Sequence, residues 1–278
     1  MATLIKTLLN LFKRKKAPPL ACHVSLDQDE NHVHTAACFL EIEPLAVAEL
    51  FQAQGCVSCP PAVPGILEAT RDPNIQLLTY GVTYFDHLVK DPNASSRWDQ
   101  RQKSYVMKWG RNSLFTPMVV ANGVSDGGSG GGSKAEIEGV VRQARNMAHQ
   151  MIDWHIYVDA NDTHVRIDSD KLEIEMHEVL VIMYKDKEEV VKISKGPNKG
   201  KKMPHKNLVT DIVKIGEWHG GDTVVALPAQ MTPGGAVVVV QAPRGGAIVG
   251  ACKLRLQGGP FAEKDDIKSI DEQPCGCG

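Results

Sequence analysis

Cys56 and Cys59 stand three positions apart in Gly55-Cys56-Val57-Ser58-Cys59-Pro60-Pro61, a spacing that one helical turn closes. Two thiols so placed can exchange with a disulfide. The first attacks as a thiolate, and the second then attacks the mixed disulfide and releases the product. The first sulfur must be ionised near neutral pH, which the unpaired N–H groups and dipole of a helix N-terminus favour. Cys56 is therefore expected to be the nucleophile and Cys59 the resolving thiol. Glu49, in the apolar stretch just upstream, is a candidate acceptor for the Cys59 proton, since burial raises a carboxylate's pKa toward neutrality. Its alternative is a hydrogen-bonded glutamate outside the chemistry. Thr116-Pro117 supplies the one kind of peptide bond that readily turns cis, and Pro117 is expected to face the cysteines and orient an extended substrate.

A second pair, Cys275 and Cys277, lies in the terminal Pro274-Cys275-Gly276-Cys277-Gly278. It reads as an auxiliary redox dithiol that exchanges with Cys56 and Cys59, or as an inert tail. A third reading joins Cys56, Cys59, Cys275 and Cys277 in one soft-metal site for Zn or Cu(I). The strand-to-helix setting of Cys56 and Cys59 favours redox use over metal, and nothing in the pattern calls for a cofactor. Cys22, Cys38 and Cys252 have no partner spacing. Tyr84, Asp86 and His87 can border the same cleft. Trp98, Gln102 and Tyr105 wall it or simply form the core face of a helix. Lys195, Lys199, Lys201, Lys202, His205 and Lys206 make a basic loop, ordinarily solvated, whose functional alternative is an acidic partner.

These residues need elements to hold them. Leu45 to Phe51 reads as a short buried strand entering the cysteine loop, and Pro60-Pro61 suits the first turn of a helix running to Thr70. Ile75 to Val82 is a second strand, reached by a right-handed crossover. A polar segment with a helix follows over Asp91 to Lys108, then a strand at Met118 to Val120 and a hairpin signal at Asn122-Gly123. The glycine- and serine-rich stretch Ser125 to Ser133 is a connector. Ser133 and Glu136 form a capping box for an amphipathic helix that closes the first domain near Met151. This order, with Pro117 opposite the cysteines, is that of a thioredoxin-like fold.

Beyond Asp153 the texture changes to short alternating runs at 156–158, 165–167, 179–184, 190–193, 224–227, 237–240 and 247–249, separated by turns and interrupted by one helix over Asn207 to Trp218. The fold class is thus an α/β thioredoxin-like domain followed by a mostly β, sandwich-like domain. The expected divisions are an irregular, basic lead-in over 1–39, the thioredoxin-like domain over 40–152, the sandwich over 153–258 and a flexible tail over 259–278.

Composition narrows the function classes. In 278 residues the net charge is −2, which argues against a polyanion-binding surface and so against nucleic acid as a partner. Seven cysteines are too few for a disulfide-stapled secreted scaffold of this length. No apolar run approaches the ~20 residues of a transmembrane helix. Residues 1–16 place apolar positions before Lys13-Arg14-Lys15-Lys16, the reverse of a secretory signal. They suit peripheral contact with an anionic membrane, organelle targeting or a solubilising tail, and the expected compartment is the cytoplasm.

The run Glu49-Leu50-Phe51-Gln52-Ala53-Gln54-Gly55-Cys56-Val57-Ser58-Cys59-Pro60-Pro61, with Phe115-Thr116-Pro117 and Val119-Val120-Ala121-Asn122-Gly123, resembles the DUF1223 family. Lys195-Gly196-Pro197-Asn198-Lys199-Gly200, Asn207-Leu208-Val209 and Gly216-Glu217-Trp218 extend the resemblance, which covers roughly residues 45 to 256. It implies a thioredoxin-like domain followed by a β domain, and a redox role. The expected function is thiol–disulfide oxidoreduction on a protein or small thiol or disulfide substrate. The alternatives are a non-catalytic binding module of the same fold and the soft-metal thiolate protein.

Overall fold

The computed structural model describes residues 44–124, 133–151 and 154–254. The lead-in with its basic segment 1–16, Cys22, Cys38, most of the glycine-rich connector, and the tail with Cys275 and Cys277 lie outside them.

Strand β1 (Ala46–Gln52), helix α1 (Cys59–Ala69) and strand β2 (Ile75–Gly81) form a βαβ unit, with β1 and β2 paired in parallel from Ala46↔Ile75 to Gln52↔Gly81. Every residue of both strands is buried, as expected of parallel strands covered on both faces. Helix α2 (Ser96–Lys108) leads to strand β3 (Met118–Ala121), antiparallel to β1. Helix α3 (Lys134–Met151) opens with the expected reciprocal cap: the Glu136 amide donates to Ser133 Oγ at 3.3 Å and the Ser133 amide to Glu136 Oε2 at 3.1 Å. Its apolar face buries Ile137, Val141 and Ala144.

The remaining strands are β4 (Ile156–Ala160), β5 (His164–Ser169), β6 (His177–Lys192), β7 (Lys202–Trp218), β8 (Thr223–Ala226), β9 (Gly235–Gln241) and β10 (Ile248–Leu254). They build a mixed α/β molecule around a seven-stranded sheet of order β10-β9-β6-β7-β2-β1-β3, with a three-stranded sheet β4-β5-β8 beside it. The expected junction at 152–153 lies outside the described residues, and strands from both sides of it share the large sheet through β2 and β7, parallel at Thr79↔Leu208.

Strand periodicity divides the core in two. Leu180, Ile182 and Tyr184 of β6 and Val237 and Val239 of β9 face the helical side, while Val179, Val181, Met183, Val238 and Val240 face the small sheet with Val165, Ile167 and Trp218. Both faces of the central strands are therefore dry. Among the described residues no helix is long and apolar enough to cross a membrane.

Two local expectations need correction. Asn207 to Trp218 is not a helix but most of β7, which pairs with β6 from Lys192↔Lys202 to His177↔Trp218. The segment's spacing fits either period, and sixteen-residue β6 supplies a ladder that no helix could use. Asn122 and Gly123 do turn, with φ of 48° and 68°, but their bonds tie strand edges together. The Val47 amide donates to Asn122 Oδ1, and the Ile248 amide to the Asn122 carbonyl, each at 2.8 Å.

Candidate active site around Cys56 and Cys59

The cysteine loop leaves the end of β1 and re-enters structure at α1, whose first residue is Cys59. Ser58 occupies the N-cap without a side-chain cap, so the first amides of the helix remain to be satisfied by something else. They face Cys56. Backbone N–H groups of Ser58 and Cys59 stabilise its sulfur, but the largest contribution comes from the Cys59 thiol, with the Thr116 side chain also lowering the pKa. Against the opposing effect of burial, the Cys56 thiol is brought down to about 6. Cys59 goes the other way: burial, then the hydrogen bond to Cys56 and its charge, push the proton's loss far up. Both thiols are free. Cys56 is 3% exposed and Cys59 0%, and burial is first among the causes of the Cys59 shift but second, and outweighed, at Cys56.

The loop before β3 closes one side. Thr116–Pro117 is a cis peptide bond, and in its thiol form Cys56 Sγ donates to the Thr116 carbonyl oxygen at 3.3 Å. Gln102 of α2, fully buried, braces that loop by donating Nε2–H to the Phe115 carbonyl at 2.7 Å, and it accepts the Tyr84 hydroxyl at 3.2 Å. The electrostatic influence of Cys59 reaches the Tyr84 phenol, whose pKa is raised chiefly by burial. Of the two readings of Trp98, Gln102 and Tyr105, the core face holds, with Gln102 serving the site from that face. His87 is exposed, and Asp86 Oδ1 accepts the Asp91 amide at 3.4 Å.

The structure thus brings Cys56, Cys59 and Pro117 together and places Glu49 in a different set of contacts. Glu49 is fully buried on β1, where Oε1 accepts Arg101 Nε at 2.6 Å and Oε2 accepts the Tyr105 hydroxyl. Arg101 Nη2 also donates to Tyr105 Oη at 2.9 Å and to Gln241 Oε1 at 3.1 Å. This polar cluster joins β1, α2 and β9 in the core.

Sequence reasoning missed Asn198. It is fully buried at the end of a short 3-10 turn, Gly196–Asn198, and its Nδ2 donates to the carbonyls of Cys56 at 2.6 Å and Gln54 at 2.9 Å. The loop carrying the thiols is therefore clamped by a residue from the β-rich half. The Gly-Pro and Lys-Gly pairs around Asn198 announced a turn, but nothing local announced what its side chain would meet. The docking is close. Gly196 adopts φ +73°, and a Cβ there would lie 2.8 Å from Val89 Cγ2; a Cβ on Gly55 would lie 2.9 Å from the Phe85 carbonyl oxygen. Asn198→Ala should cost about 1–3 kcal/mol, since it leaves the Gln54 carbonyl without that donor in a buried place. Asn198→Asp should cost more, because a carboxylate against two carbonyls cannot donate to them. Urea unfolding of the three proteins measures the order.

His205 corrects the expected basic loop. It is 1% exposed on β7, with Nδ1 against Gln52 Nε2 at 2.9 Å, and burial lowers its pKa. Lys195, Lys199, Lys201 and Lys202 are exposed as expected. Among the described residues no cluster of three or more potential metal ligands occurs, and the four-cysteine site involves Cys275 and Cys277, outside them.

No curated protein matches the chain. The crystal structure of protein AGR_C_4864 from Agrobacterium tumefaciens is similar, with 28% identity and a TM-score of 0.59 over 76% of this chain and 94% of that one. HBP35 of Porphyromonas gingivalis is similar at 12% identity and a TM-score of 0.48, over 83% of this chain and 80% of that one. Residues 47–241, which hold the dithiol loop, the Thr116–Pro117 bond and the Asn198 clamp, match the family described as a protein of unknown function, DUF1223, and the chain belongs to that family.

Proposed function

We propose that this protein is a thiol–disulfide oxidoreductase whose βαβ unit, β3 and α3 form a thioredoxin-like domain, its sheet continued through β7 into the β-rich part of the chain. The observation that carries this reading is the pair of free thiols one helical turn apart at the head of α1, with Cys56 Sγ against the Thr116 carbonyl of the cis Thr116–Pro117 bond. Cys56, lowered to about 6, is a thiolate at neutral pH, and Cys59 keeps its proton.

The chemistry follows from that asymmetry. The Cys56 thiolate attacks one sulfur of a substrate disulfide, forming a mixed disulfide, and the departing substrate thiolate takes a proton from solvent. Once its sulfur is bonded, Cys56 carries no charge. Two of the influences that hold the Cys59 proton, the hydrogen bond to Cys56 and its charge, then disappear. Cys59 loses its proton to solvent and attacks Cys56 Sγ, forming the Cys56–Cys59 disulfide and releasing the second substrate thiolate. The reverse sequence oxidises a substrate dithiol. Pro117, beside the Thr116 carbonyl that Cys56 contacts, occupies the place of a substrate-orienting residue.

Alkylation of single cysteines across pH, read by peptide mass spectrometry, tests the proposal. A pKa lowered in the folded state means the reactive thiolate is present above that pKa and is lost as pH falls through it. The Cys56 rate should stay on a plateau at neutral pH, fall to half at about pH 6 and drop tenfold per unit below. Cys59 should stay unmodified throughout. A Cys56 midpoint near the ordinary value of about 8.5, or preferential modification of Cys59, overturns the reading.

A further inference from the structure

Between Val190 and Pro204 the chain carries Lys192, Lys195, Lys199, Lys201 and Lys202 and no aspartate or glutamate. All five lysines are exposed. A basic run on a mobile loop would mean little, but this one is fixed. The Ile193 amide donates to the Lys201 carbonyl at 2.9 Å, the Gly200 amide to Ile193 at 2.8 Å and the Lys201 amide to Asn198 at 3.0 Å. The turn so closed is pinned to the dithiol loop by the Asn198 bonds to Cys56 and Gln54.

With Asn198 Nδ2 at 2.6 Å from the Cys56 carbonyl, the Lys199 backbone lies within roughly 10 Å of Cys56, counting one side chain and one Cα step of ~3.8 Å. That is about the screening length at 0.1 M salt. Lys201 Nζ is bonded to Asn198 Oδ1 at 3.0 Å, whereas Lys192, Lys195, Lys199 and Lys202 form no ion pair among the described residues. Of the nearby acids, Glu189 Oε1 lies 3.7 Å from Lys187 Nζ, and Glu188 stands opposite Lys206 in the β6–β7 ladder.

We infer that the dithiol serves an acidic polypeptide, whose carboxylates lie along this lysine turn while its cysteines reach Cys56. This deepens the oxidoreductase reading and rests on it. A polypeptide rather than a small anionic disulfide fits because the charges are spread along a hairpin tip, from the Lys192↔Lys202 pair to the turn itself, and a small molecule would meet only one or two. Val57, 60% exposed between the cysteines, adds an apolar contact for the chain that bears the disulfide. Two electrons pass from the Cys56/Cys59 dithiol to the peptide disulfide; one S–S bond breaks, one forms, and the peptide leaves with two thiols.

The test is the second-order rate of exchange between the reduced full-length protein and three disulfide peptides that share one core and carry acidic, neutral or basic flanks, with glutathione disulfide as a fourth substrate. At 20 mM salt the acidic peptide should react at least about tenfold faster than the neutral one, and 500 mM salt should remove most of that advantage. The Lys195→Gln, Lys199→Gln, Lys202→Gln triple variant should bring the acidic-to-neutral ratio toward one. Equal rates for the three peptides, or a ratio the triple variant leaves intact, overturn the inference alone. A salt-sensitive preference for glutathione disulfide as large as that for the acidic peptide overturns its polypeptide part. No exchange with any substrate, with an ordinary Cys56 alkylation profile, overturns the oxidoreductase reading and the inference with it.

Discussion

Cys59→Ser should form a mixed disulfide with substrate and stop there, losing at least about a thousandfold in turnover, while Cys56→Ser should never form the adduct. Resolution is the step at risk because the mixed disulfide on Cys56 has no internal nucleophile once the Cys59 thiol is removed. With a value of about 6 instead of about 8.5, the thiolate fraction at pH 7 rises from roughly 3% to roughly 90%. Intrinsic nucleophilicity falls with basicity, however, by roughly tenfold over that interval. The net gain in attack is therefore only about threefold. A stabilised Cys56 thiolate helps more as a leaving group, which it is when an incoming thiol attacks the other sulfur of a disulfide that Cys56 has formed; in resolution Cys59 attacks Cys56 Sγ and the substrate thiolate leaves. Non-reducing mass spectrometry after mixing with a peptide disulfide distinguishes the variants. Turnover by Cys59→Ser at the wild-type rate would show that Cys59 is not the resolving thiol.

The second large effect is on stability. Arg101→Met leaves the fully buried Glu49 carboxylate with the Tyr105 hydroxyl and no counter-charge, and breaking a buried pair from one side costs about 3–5 kcal/mol. The variant should melt roughly 10 °C or more below wild type. Glu49→Leu alone strands the guanidinium, which retains Tyr105 and Gln241 as partners but faces no carboxylate. The double variant Glu49→Leu, Arg101→Met should lose less than the sum of the singles, because no unpaired charge is left behind. Additive losses in urea unfolding would show that the pair is not coupled.

The cluster around Glu49 also shows where sequence reasoning stopped. A glutamate in an apolar strand beside a cysteine loop invites a catalytic reading, because burial is legible from its neighbours and partners are not. Arg101 and Tyr105, a helical turn apart on α2, meet Glu49 only after the chain has passed through β2. His205 and Lys206 looked alike as members of a basic run, yet strand periodicity turns His205 into the interior beside Gln52 and leaves Lys206 half-exposed.

What the sequence by itself determined was local and short-range. The order of β1, cysteine loop, α1 and β2, the Ser133–Glu136 cap and the alternation of β5, β6 and β9 follow from periodicity, proline placement and capping, which act within a few residues. The spacing of Cys56 and Cys59 at the head of a helix is of the same kind. Only the tertiary structure decided that β7 is a strand, since its hydrogen-bond partners are contributed by β6 and β2. It likewise decided that Asn198, 142 positions from Cys56, holds the Cys56 carbonyl, and that Glu49 belongs to Arg101. Such contacts depend on which faces meet when the sheet closes, and a side chain's partner across that distance leaves no trace in its own neighbourhood of the chain.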